Sequence, residues 1–191
     1  MGIGIFGGTF DPPHVGHVVA AVAARHELGL DQVLLTVANR PWQKVGSRAI
    51  SFAADRLALV EALVDGIDGL GASAIEIHRG GDSYTADTIA ELRAEAPDRQ
   101  VHVIVGSDAA AALPSWARAD EVRATASLVL VDRPGVPGPA TPDGWTFARV
   151  DIPRLDISST DIRRRVAAGE PIDGLVPPRV RSVIEARGLY R

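Results

Sequence analysis

Two histidines three residues apart, His14-Val15-Gly16-His17, follow a glycine-rich stretch, Gly7-Gly8-Thr9-Phe10-Asp11-Pro12-Pro13. The apolar run before them, Ile3 to Phe6, reads as a buried strand, and Val18 to Ala24 reads as a helix. N–H groups in a helix's first turn lack partners, and the helix dipole there favours negative charge. Imidazoles at i and i+3 share one helix face and can address one ligand. The combination predicts a phosphate site whose histidines donate hydrogen bonds and offset charge developing in transfer. Two plainer readings fit the same residues: a helix start with surface histidines, or half of a metal site. The metal reading needs more ligands, and His26, His78 and His102 lie in segments without a matching pattern. Gly16 costs about 1 kcal/mol relative to Ala in a helix. A backbone lying close to a bulky ligand would explain that cost.

A second constellation is Ile157-Ser158-Ser159-Thr160-Asp161-Ile162-Arg163-Arg164-Arg165. Ser158 with Asp161 resembles a capping box, and capping alone would account for the serines. Thr160 and Arg163 are three apart, so hydroxyl, guanidinium and free N–H groups converge at one helix end. That set could hold a triphosphate tail, because Arg matches phosphate geometry bidentately.

The elements that must position these residues alternate along the chain. Ile3–Phe6, Val33–Val37, Ala74–Ile77, Val101–Val105 and Leu128–Val131 read as strands buried on both faces. His14–Leu28, Ser51–Val64 and Thr85–Ala96 read as helices, with Ser51 and Thr85 placed as N-caps. A strand over Phe147–Val150 and helices over Ser159–Ala168 and Pro178–Ala186 follow a Pro/Gly-rich loop, Arg133 to Trp145. The alternation predicts an α/β fold: a Rossmann-like parallel sheet flanked by helices, with a small C-terminal helical part from about residue 157 to 191. No repeat or boundary is evident, so residues 1–191 read as one domain. Ligands in such sheets sit outside the strands' carboxyl ends, where the glycine-rich turn lies.

Composition narrows the function classes. The chain has 191 residues, 46% of them hydrophobic, and can bury a full core. It contains no cysteine, which excludes disulfides and thiolate chemistry. It has no apolar run of about 18 residues to span a membrane, and its start lacks the basic region of a signal peptide. A cytoplasmic protein is expected. The net charge of −4 gives no support to nucleic-acid binding. Eight Arg against five acidic residues from Arg154 to Arg191 nevertheless make that end locally positive, and Arg163-Arg164-Arg165 suits a small polyanion. Gly2-Ile3-Gly4-Ile5-Phe6-Gly7 matches the dinucleotide fingerprint literally, but it falls inside a strand. No acid ends the second strand, where Thr36-Val37-Ala38-Asn39 stands, so a dehydrogenase is discounted. A P-loop motif is absent.

The pair GGTFDPPHVGH and ISSTDIRRR resembles the HxGH nucleotidyltransferase superfamily, in particular the bacterial nicotinate-nucleotide adenylyltransferases. Almost the whole chain shares the resemblance. Arg79 to Thr88 (RGGDSYTADT) is similar to that family's acceptor segment, Val105-Gly106-Ser107-Asp108 to its ribose turn, and Leu113-Pro114-Ser115-Trp116 follows at the familiar distance. The resemblance implies adenylyl transfer from ATP to nicotinate mononucleotide, giving deamido-NAD and pyrophosphate. It implies that His14, His17 and Arg163 are catalytic, and that Gly7, Gly8, Thr9 and Phe10 line the ATP site. It gives Gly106 and Asp108 to the ribose, and Ser159 and Thr160 to the β- and γ-phosphates. Lys44, Tyr84, Thr85, Trp116 and Ala117 would bind the acceptor, with Trp116 stacked on the pyridine. Mg²⁺ would travel with ATP, with no metal site of the protein's own, and a homo-oligomer is compatible with the pattern. Asn39-Arg40-Pro41-Trp42-Gln43-Lys44 replaces the Pro-Pro-His-Lys loop of many members and is similar to the actinobacterial branch. Rival expectations are an adenylyltransferase acting on nicotinamide mononucleotide or pantetheine phosphate, and a non-catalytic adenine-nucleotide sensor.

Overall fold

A computed structural model describes residues 2–41, 49–132 and 141–191. In chain order the elements are β1 (Gly2–Gly8), α1 (Val15–Glu27), β2 (Gln32–Val37), α2 (Ala53–Val64), β3 (Leu70–Ser73), α3 (Ile75–Arg79) and α4 (Thr85–Glu95). There follow β4 (Gln100–Gly106), α5 (Ser107–Ala112), α6 (Ala119–Thr125), β5 (Ser127–Asp132), β6 (Ala148–Asp151), α7 (Ser159–Ala167) and α8 (Pro178–Ala186). The strands form a six-stranded sheet in the order β3-β2-β1-β4-β5-β6. The order reverses at β1, beside β4, which makes that pair the switch point of strand order.

The described residues gather into two compact units. One comprises Met1–Gly7, Ala20–Leu34 and Tyr84–Arg154. Here β1, β4, β5 and β6 run parallel, with Ile3 opposite Val101, Val103 opposite Leu128 and Val129 opposite Ala148. Ile3, Ile5, Val101, Val103, Ile104, Val105 and Leu128 to Val131 are buried, which is why these strands are continuous apolar runs without alternation. Gly4 admits no side chain: a Cβ there would lie 2.9 Å from both Ile104 and Val33. The G-x-G-x-x-G run is therefore strand and packing, as its position predicted.

The other unit comprises Gly8–Val19, Leu35–Ser83 and Leu155–Arg191. Leu59, Val60 and Leu63 of α2 are buried, and α2 packs against α8, whose Val180 and Ile184 are also buried. Ile162 is the buried residue of α7.

Three expectations need correction. Ala74–Ile77 is not a strand: β3 ends at Ser73 and the chain turns into α3 at Ile75. An apolar run this short fits a helical turn as well as a strand, and periodicity cannot separate them. Ser51 is not the cap of α2, which starts after Phe52 without a side-chain cap bond. Thr85 is the first residue of α4, and Tyr84 stands before it, again without a side-chain cap bond. In both cases the neighbouring apolar or aromatic residue takes the extended position that ends the preceding segment.

Candidate active site

In the second unit β1 ends at Gly8, and the chain turns through Thr9 to Pro13 before α1 begins at Val15. Phe10 takes φ +50° and tucks its ring, 3% exposed, back over Gly8. A Cβ on Gly8 would meet that ring at 2.8 Å, so the second glycine makes room for an aromatic side chain. The same ring meets His17 edge-on at 5.1 Å between centroids. Phe10 and Thr9 are both buried, and what they can offer a ligand is backbone.

The two histidines form a pair. Their rings lie 3.8 Å apart at 37°. The His14 backbone N–H donates to His17 Nδ1 at 3.0 Å, so a neutral His17 carries its proton on Nε2. Burial pushes the His14 imidazole down from 6.5 to about 4, which leaves it neutral at pH 7. Its Nδ1 is buried and has no hydrogen-bond partner among the described residues. Gly16 has a different cause from the expected one. A Cβ there would lie 3.0 Å from His14 Nδ1 and 3.1 Å from Cε1, so the glycine accommodates the protein's own imidazole.

Helix α7 meets this turn directly. Ser158 caps the helix by accepting from the Asp161 N–H at 3.1 Å. Ser159 Oγ donates to the Pro12 carbonyl at 2.7 Å. Arg163 donates to the Asp11 carbonyl at 2.7 Å and to Thr160 Oγ1 at 3.1 Å. Thus His14, His17, Ser159, Thr160 and Arg163 are brought together, and the Asp11–Pro12 peptide, which is cis, joins them. The arginine triplet is not one polyanion patch. Arg164 and Arg165 pair with Asp161 and Glu170, and those arginines, Arg165 foremost, hold the Asp161 carboxyl below its usual range.

Two residues of this site escaped the sequence reading. Tyr190, at φ +67°, donates from its hydroxyl to Asp11 Oδ1 at 2.9 Å, and Asp11 is 1% exposed. Burial, together with the Asp11 charge, drives the tyrosine's ionisation upward, so it stays a donor. Arg56, also 1% exposed, donates to the Thr9 carbonyl and to others nearby. It had a legible signal: at position 56 it shares the buried face of α2 with Leu59, Val60 and Leu63.

In the first unit, Gly106 and Asp108 stand exposed at the turn from β4 into α5, where Ser107 Oγ bonds Asp132 at 3.2 Å. Tyr84 and Thr85 open α4, while half-buried Trp116 and Ala117 follow the 3₁₀ turn Leu113–Ser115. An ion pair from Arg118 to Asp87 links the two segments, so Thr85 and Ala117 are each one or two residues from one bond. Lys44 lies outside the described residues.

A family model described as cytidylyltransferase-like matches residues 5–165. A Saccharopolyspora erythraea protein named probable nicotinate-nucleotide adenylyltransferase is 41% identical over 99% of this chain and 89% of its own length. A Streptomyces coelicolor protein of the same name is 43% identical, over 97% of this chain and 98% of its own. The chain belongs to this family. Adenylyltransferases of this kind are nucleotidyltransferase enzymes, and the fold agrees. The Plasmodium falciparum nicotinic acid mononucleotide adenylyltransferase complexed with NaAD superposes with a TM-score of 0.77 at 16% identity, over 99% of this chain and 97% of that one. Among the described residues, no helix is long and apolar enough to cross a membrane.

Proposed function

We propose that the chain transfers the adenylyl group of ATP to nicotinate mononucleotide, giving deamido-NAD and pyrophosphate. The observation that carries this reading is the joined set of His14, His17, Ser159, Thr160 and Arg163 around one turn, within a chain related along its full length to this family. An acceptor phosphate oxygen attacks the α-phosphorus in line. The new P–O bond forms as the bond to the β-phosphate oxygen breaks, and pyrophosphate leaves with that electron pair. A phosphate monoester has a second pKa of about 6, so it is already ionised at pH 7 and needs no general base. The protein's part is positioning and charge stabilisation.

The histidines act at the α-phosphate. His17 donates from Nε2, and His14, kept neutral by burial, supplies a ring donor in place of a cation. Ser159, Thr160 and Arg163 take the β- and γ-phosphates, and the Gly7 to Phe10 backbone lines the same anion. Gly106 and Asp108 serve the ribose. Thr85 and Ala117 offer N–H groups to the nicotinate carboxylate, Trp116 and Tyr84 flank the ring, and Lys44 faces the mononucleotide phosphate. Mg²⁺ enters as the counter-ion of ATP. It prefers oxygen ligands and retains several waters, which suits a site furnished with imidazoles, hydroxyls and N–H groups. The enzyme is read as cytoplasmic, where its nucleotide substrates are.

Pyrophosphate release, assayed in turn with nicotinate mononucleotide, nicotinamide mononucleotide and pantetheine phosphate, tests the reading. Turnover should be fastest with the first, and identification of deamido-NAD completes it. Preference for another acceptor would overturn the substrate, and ATP binding with no turnover would make the chain a sensor. His17→Ala should lower kcat by about two orders of magnitude or more with the melting temperature little changed. Near-normal turnover in that variant would remove the histidine from the chemistry.

A further inference from the structure

Arg56 is a buried arginine spent on carbonyl groups. Its Nε donates to Ser51 O at 2.9 Å. Nη1 donates to Thr9 O at 2.9 Å and Ala38 O at 2.7 Å, and Nη2 donates to Asn39 O at 3.1 Å. Three segments therefore converge on one guanidinium: the glycine-rich turn after β1, the end of β2, and the stretch before α2. The second of these is held on its other side as well. Asn39 N–H donates to Ser83 Oγ at 2.8 Å, and Asn39 Nδ2 donates to Gly81 O at 2.8 Å. Ser83 N–H returns a bond to Arg40 O at 3.1 Å. The chain of bonds runs from Thr9, through Arg56 and Asn39, to the Gly81–Ser83 turn that leads into the SYTADT segment.

A guanidinium that is 1% exposed is costly to bury unless its donors are paired, and here carbonyls from three segments pair them. Its planar fork fixes directions as well as charge, and an ammonium cannot reproduce that. From this geometry we infer that Arg56 is a positioning residue for the transfer reaction: with Asn39, it holds the turn that receives ATP phosphates in register with the Gly81–Ser83 turn, where the RGGDSYTADT segment begins. The inference rests on the adenylyl-transfer reading. In-line attack tolerates little misplacement, and a shift of about 1 Å can cost on the order of 100-fold in rate.

Arg56→Lys keeps the charge and cannot span the four carbonyls; Asn39→Ala cuts the link to Gly81 without disturbing the core. Each is compared with the wild type at a temperature well below its own melting point, with folding checked by circular dichroism. Arg56→Lys should lower kcat at least tenfold. Asn39→Ala should raise KM for the acceptor at least threefold and leave KM for ATP unchanged. A purely structural arginine would lower the melting temperature and leave kcat of the folded variant within twofold, which overturns the inference. If Arg56→Lys does not fold, an unchanged acceptor KM in Asn39→Ala overturns it alone. Wild-type protein that releases no pyrophosphate with nicotinate mononucleotide defeats the reading of function. The positioning role is then judged by calorimetric ATP affinity, which Arg56→Lys should weaken at least fivefold and which, if unchanged, removes it.

Discussion

Gly16 separates the contribution of a residue to the helix from its contribution to the site. Replacing it with Ala gains up to about 1 kcal/mol of helix propensity, yet the new Cβ would press His14 at 3.0 Å. The ring must yield by a few tenths of an ångström, and it lies against His17, 3.8 Å away between centroids. Gly16→Ala should therefore melt within a few degrees of the wild type while kcat falls about tenfold; steady-state kinetics beside a melting curve checks both. His14 adds a dependence on pH. Its folded pKa is about 4 against 6.5, so between these values the unfolded chain binds the proton more readily. The stability it contributes is complete above pH 6.5 and is lost as pH falls towards 4, about 3 kcal/mol in all. Denaturant unfolding at pH 7 and pH 4 should show His14→Gln losing less stability across that interval than the wild type, by a similar amount.

At the scale of elements, what the sequence conveys depends on how local the cause is. The strands of β1, β4 and β5 were legible because both faces are buried and the apolar runs are unbroken. The start of α7 was legible because a cap is a contact between residues three apart, here Ser158 and Asp161. The pairing of α7 with the Asp11–Pro12 turn was not, since Ser159 and Pro12 lie 147 residues apart and nothing in either segment names the other. The same holds for Tyr190, 179 residues from Asp11. Nor could composition tell that Arg164 and Arg165 turn to acids of their own helix region. Tyr190 yields a prediction at this scale, because it ties the end of the segment after α8 to the turn before α1. Tyr190→Phe leaves a buried carboxylate one donor short, a loss of about 1–3 kcal/mol. The variant should unfold at lower denaturant concentration with an unchanged m-value; an unchanged midpoint would show that the hydroxyl does not support the turn.

For the molecule as a whole, the charge poses a question that the site answers. A chain of net charge −4 has to bind ATP and a second anion. Long-range attraction does not favour either, and exposed charges are screened beyond about 8–10 Å at ordinary ionic strength. In the proposed reading the affinity comes from donors held at contact distance, and Ser159, Thr160 and Arg163, bonded together around one turn, are the proposed donors. The neighbouring arginines are neutralised locally by Asp161 and Glu170, so the positive end of the sequence is no funnel for polyanions. The two kinds of arginine should part company on substitution. Arg163→Gln should raise KM for ATP about tenfold or more, as expected when a charge-assisted phosphate contact is removed. The double substitution Arg164→Gln, Arg165→Gln should leave KM for ATP within about twofold, despite removing twice the charge. Initial rates against ATP concentration measure both, and a larger effect from the double substitution would mean that the whole arginine cluster, rather than the single residue tied to Thr160 and Asp11, attracts the nucleotide.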